Sequence, residues 1–123
     1  NGQSTINLAQ YLTLVVVAAI LAPVTEETLF RGVLYQGMRK SARRYLGVTG
    51  AIALAVFVDG LLFGGFHLIG GASEINTLPI LAFLGIALAV VFQLGRSLGG
   101  SMLVHATVNF ISVTALFVAH SAH

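Results

Sequence analysis

The sequence predicts an all-α polytopic membrane bundle of about four transmembrane helices, and three observations carry that reading. Of the 123 residues 57% are apolar and only 8% are charged, where soluble domains carry about 25% charged residues. Six basic and four acidic side chains cannot clothe a water-soluble globule of this size. The mean hydropathy is +0.95, and the apolar residues fall into runs of the right length. A helix needs about 20 residues to cross a hydrocarbon core of about 30 Å, so four crossings use roughly 80 residues and leave short connections.

The first run, residues 6–24 (INLAQYLTLVVVAAILAPV), is uncharged and long enough to span, with Pro23 ending or kinking it. The following segment, TEETLFRGVLYQGMRKSARR, carries Leu29, Phe30, Val33, Leu34 and Met38 at helical spacing and reads as a helix continuing past the kink. A turn near Tyr45 then joins it antiparallel to the second run, residues 46–69, which is broken only by Asp59 and His67 and closed by Gly70-Gly71. Residues 77–94 make the third run and residues 98–119 the fourth, which carries His105 and Asn109. No repeat or low-complexity linker divides the chain, so residues 1–123 read as a single domain. Gly60-xxx-Gly64 and Gly95-xxx-Gly99 are small-residue spacings that permit close helix approach.

Charge placement narrows the function. Arg39, Lys40, Arg43 and Arg44 lie between the first two runs and Arg96 between the last two, while GGASEIN has no basic residue. The positive-inside rule puts both basic loops in the cytoplasm and both termini outside. Five of the six basic residues lie between Arg31 and Arg44, a membrane-topology signal with no nucleic-acid footprint. The chain has no cysteine, which excludes a thiol nucleophile, a thiolate zinc site and any disulfide framework.

Ionisable groups inside a bilayer cost about 2.5 to 3.5 kcal/mol each at the centre and need a partner or a task. Glu26, Glu27 and Arg31 follow the first run, Asp59 and His67 interrupt the second, and His105 and Asn109 sit in the fourth. Polar side chains brought by separate helices suggest one shared interior site. Glu27 and Arg31 are four apart, the order that favours a salt bridge on one helix face. Glu26 points about 100° away, and a carboxylate desolvated there suits a general base. His105 and Asn109, also four apart, can donate together to one developing negative charge, or else act as structural glue across helices. Asp59 is too far along a straight helix from His67 to touch it and reads as structural. His120 and His123 read as a solvated tail.

The segments APVTEETLFRG (22–32), FGGFH (63–67) and SMLVHATVNF (101–110) together resemble the three signature motifs of the CAAX protease and bacteriocin-processing (CPBP/Abi) family, which includes the type II CAAX prenyl endopeptidases. Its pattern is EExxxR, FxxxH, then HxxxN, each on a different membrane helix. The resemblance covers about residues 22–117. It implies an intramembrane endopeptidase in which Glu26 and His67 activate a water and His105 and Asn109 hold the oxyanion, with Glu27, Arg31 and Phe63 in support. It further implies a prenylated protein or a small peptide of the bacteriocin type as substrate, no cofactor, membrane lipid as surroundings and a prokaryotic cell membrane as location.

Two other readings use the same residues. Glu26, His67 and His105 are the ligand inventory of an open zinc centre, which would have to be assembled from three helices because the chain lacks HExxH. A non-catalytic immunity or scaffold protein could use the same fold, but a pure binder has no need of a base and oxyanion donors together. A channel would instead distribute polar groups along a pore.

Overall fold

The computed structural model describes residues 5–71 and 74–121. Of these, 93% are helical and none lies in a strand, as the hydropathy pattern predicts. Ala72, Ser73 and His123 fall outside the described residues.

Helix α1 (Leu8–Leu14) opens on a reciprocal capping box, in which the Asn7 side chain accepts from the Gln10 amide and the Gln10 side chain from the Asn7 amide. The helix then runs on through a π-helical turn (Val15–Leu21), α2 (Ala22–Glu27), a second π-helical turn (Thr28–Tyr35) and α3 (Gln36–Ile69). Pro23 therefore does not end it. The preceding π turn absorbs the proline: the Ala22 amide already donates five residues back, to Val17 O, so the helix is locally widened where a donor is lost. A short 3₁₀ turn (Ile75–Thr77) leads into α4 (Leu78–Gly95), and α5 (Leu98–Ser121) follows directly.

Three helical stretches among the described residues are long and apolar enough to cross a membrane, Leu8–Ile69, Ile75–Gly95 and Leu98–Ser121, where the sequence predicts four. The difference lies at Gly47. There a single residue leaves the helical conformation at φ 68° and ψ −174° inside an otherwise continuous 62-residue run. The positive φ is one that glycine adopts without steric cost. Residues on either side fold back on one another, since Arg31 pairs with Asp59 and Tyr35 packs with Ala55. The first two predicted spans are thus joined by one residue, two positions from the turn placed at Tyr45, and no loop separates them.

Contacts gather the described chain into two compact units, one formed by the residues up to Glu26 with those from Met102 onward, the other by Glu27–Ser101. In the first, the N-terminal helix lies antiparallel to α5. Tyr11 stacks on Phe117 with ring centroids 4.5 Å apart, and its hydroxyl lies 3.0 Å from Thr114 Oγ1.

In the second unit three rods pack side by side, residues 27–46, residues 48–69 and α4. Their core has two clusters, Tyr35, Ala55, Ala89 and Phe92 in one and Phe30, Phe63 and Leu88 in the other. Small residues set the α3–α4 separation. A Cβ on Gly64 would lie 3.0 Å from the Ala82 amide, and one on Gly85 would lie 3.0 Å from Gly60 Cα, so the Gly60-xxx-Gly64 spacing is a true close-approach motif. Gly95-xxx-Gly99 is not: α4 ends at Gly95 and α5 begins at Leu98, so no single helix presents both.

Large apolar side chains such as Phe57, Phe83, Leu94 and Leu103 are exposed. Bilayer hydrocarbon rather than water is the solvent that suits them.

Candidate active site

The first unit joins a carboxylate to an imidazole. Glu26 near the end of α2 and His105 in α5 bring Glu26 Oε2 within 3.5 Å of His105 Nε2, with the side chains 17% and 2% exposed. The antiparallel pairing of the two helices sets this contact. One turn further along α5, Asn109 Nδ2 donates to Ala18 O at 2.7 Å.

That bond has a cause in the chain. In the π register, residue 23 would be the donor to Ala18 O, next after Ala22 to Val17 O. Proline has no N–H to give. Asn109 supplies the missing donor from the neighbouring helix, and one N–H of its amide remains beyond the one so engaged. His105 and Asn109 thus share a face, as their i, i+4 spacing predicts.

The second unit carries the remaining motif residues, in two groups. In one, His67 Nδ1 lies 2.8 Å from Phe63 O. A carbonyl can only accept, so Nδ1 carries a proton and Nε2 is the ring nitrogen that can act as a base. The Phe63 ring packs on the imidazole at 4.7 Å between centroids, and Phe66 meets it edge-on at 5.9 Å. Phe30 closes the shelf against Phe63 and Phe66 at 5.3 and 5.7 Å. The FxxxH spacing therefore provides both the backbone acceptor and the ring that fix the histidine.

The other group is an ion cluster. Arg31 Nη1 donates to Glu27 Oε1 at 2.9 Å, its Nε lies 3.1 Å from Asp59 Oδ2, and all three side chains are fully buried. Arg31 Nη2 also donates to Gly85 O on α4, and the guanidinium sits 4.9 Å from the Phe63 ring centroid. One arginine thereby ties three helices together, its charge shared between two carboxylates and an aromatic face.

Sequence reasoning finds the Glu27–Arg31 pair from its spacing but misses Asp59 as the second carboxylate. The signal is there: Arg31 is the one basic residue outside the loop clusters, hence the natural counter-charge for a buried aspartate. The Ala18 carbonyl is missed as well, although Pro23 marks it. His120 Nδ1 lies 2.9 Å from Leu116 O at the exposed end of α5. Among the described residues no three His, Cys, Asp or Glu side chains are gathered as a metal-holding group.

The family model described as Type II CAAX prenyl endopeptidase Rce1-like matches residues 8–111, a span that includes every motif residue above. No curated protein and no solved structure matches the chain. The matched span runs from α1 through most of α5, and the chain belongs to the Rce1-like family of type II CAAX prenyl endopeptidases.

Proposed function

We propose that this chain is an intramembrane endopeptidase that hydrolyses a peptide bond in a lipidated, CAAX-type protein or a small peptide of the bacteriocin type, in a prokaryotic cell membrane. Glu26 and His67 take a proton from a water as it attacks the scissile carbonyl, and that proton passes to the leaving amine as the C–N bond breaks. His105 and the second N–H of Asn109 stabilise the oxyanion that forms in between.

The observation that carries this reading is the Glu26–His105 pair at 3.5 Å, with an anchored carboxamide one turn away on the same helix. It supports the reading because it sets a carboxylate withdrawn from solvent, the base, beside the imidazole that serves the oxyanion. The His67 tautomer supports it too, since Nε2 is the basic atom.

The test is cleavage of a prenylated CAAX peptide by the purified chain in lipid, alongside Glu26→Ala and a chelator-treated sample. The expected result is cleavage by the untreated and chelated wild type and none by the variant. Loss on chelation restored by zinc would replace this mechanism with a metal-dependent one using Glu26, His67 and His105. Full activity in Glu26→Ala would overturn the role of Glu26. Absence of cleavage of any CAAX or bacteriocin-type peptide would favour a non-catalytic scaffold.

A further inference from the structure

The second unit has an amphipathic cavity of about 680 Å³ that contains none of the motif residues. Arg39, Arg43 and Arg96 line it together with Gln36, Gln93 and Leu98. Its volume is that of a small-molecule site. It lies where the Gly47 reversal meets the end of α4, the same end that carries every Lys and Arg of the chain except Arg31. None of the four acidic residues lines it. Among the described residues neither Arg43 nor Arg96 has an acidic partner.

The lining is arranged to donate. Gln93 Oε1 accepts from the Tyr35 hydroxyl at 2.6 Å and from Arg39 Nη1 at 2.9 Å. Because arginine can only donate, the amide orientation is fixed by chemistry, and Gln93 Nε2 is the atom left to donate elsewhere. Three arginines and an oriented amide line a space that no acidic residue lines. Leu98, the first residue of α5, adds the positive end of that helix's dipole to the wall. An arginine fork matches the oxygens of a phosphate. Ile52 and Phe92 supply an apolar wall beside these donors, which suits an amphiphile more than a free ion. A smaller adjoining cavity of about 430 Å³ shares Gln36, Arg39 and Arg43 and adds Lys40.

We propose that this cavity binds a phosphate group, carried by the headgroup of an anionic phospholipid or by a soluble phosphate. Basic pockets between membrane helices recognise such headgroups through the same chemistry. The site is independent of the proteolytic reading and would hold equally on a non-catalytic member of the fold.

Thermal unfolding of the full chain tests it in phosphatidylcholine vesicles, in vesicles with phosphatidylglycerol added, and in phosphatidylcholine with millimolar inorganic phosphate. Wild type should melt several degrees higher with phosphatidylglycerol. The double variant Arg43→Gln/Arg96→Gln should lose at least half of that rise. Both side chains are exposed, so the fold itself should tolerate the change. Arg44→Gln, whose guanidinium stacks on Tyr45 at 4.9 Å and does not line the cavity, should keep the full rise. A rise with phosphatidylglycerol alone assigns the lipid, and an equal rise with inorganic phosphate assigns a soluble anion. The proposal is overturned if neither anion raises the wild type, if the double variant responds like wild type, or if Arg44→Gln loses as much as the double variant.

Discussion

Glu26 keeps part of its side chain accessible and faces the imidazole of His105, whereas Glu27, one residue on, is fully buried against Arg31. The helix itself separates them, because consecutive residues project about 100° apart. One carboxylate has a partner that can take or give a proton. The other is bonded to a guanidinium, which does neither. A pair of adjacent glutamates thus divides into a group suited to chemistry and a group suited to cohesion, and the division can be broken from either side.

The largest effect is expected on the chemical side. Glu26→Ala and His67→Ala should each reduce cleavage below detection while leaving the melting temperature in lipid close to wild type. If Glu26→Ala instead melts far below wild type, Glu26 is structural like its neighbour and the contrast collapses. On the cohesive side, Arg31→Met leaves Glu27 and Asp59 buried without a counter-charge, a loss of about 3 to 5 kcal/mol. Its melting temperature should fall steeply, and activity with it. Unchanged melting would show that the cluster contributes nothing to the fold.

His105 and Asn109 sharpen the comparison, because they share one helix face and differ in what else they hold. Either alanine variant should lower kcat by about 10²- to 10³-fold. Asn109→Ala should in addition lower stability by about 1 to 3 kcal/mol, since it strips the donor from a carbonyl that Pro23 cannot serve. Equal melting of the two variants would show that the bond to Ala18 O carries no weight.

How far the sequence could foretell this depends on the range of the interaction. Helical class, the continuation past Pro23, the fold-back near Tyr45 and the Glu27–Arg31 pair all rest on neighbours a few positions apart, and periodicity reads them. Asp59 meets Arg31 across 28 positions of chain, and Gln93 accepts from Tyr35 and Arg39 across more than 50. Such pairs depend on how whole helices register against one another, which no local pattern encodes. The span count differs from four for another reason. A loop was expected between the first two spans, but one glycine at positive φ reverses the chain without one.

The two glycine spacings show the same limit at the smallest energy. In sequence Gly60-xxx-Gly64 and Gly95-xxx-Gly99 are indistinguishable. In the fold, a side chain at Gly64 would press on the Ala82 backbone, whereas nothing lies within 4 Å of a Cβ at Gly95. Gly64→Val should therefore force α3 and α4 apart and cost about 1 to 3 kcal/mol, the usual penalty for overpacking. Gly95→Ala should leave the melting temperature unchanged, since residue 95 ends α4 with open space around it. If the two variants melt alike, the close approach of α3 and α4 does not hold the second unit together. The burden would then fall on Arg31, whose bonds to Glu27, Asp59 and Gly85 O join the three rods, and on the two apolar clusters that do the same.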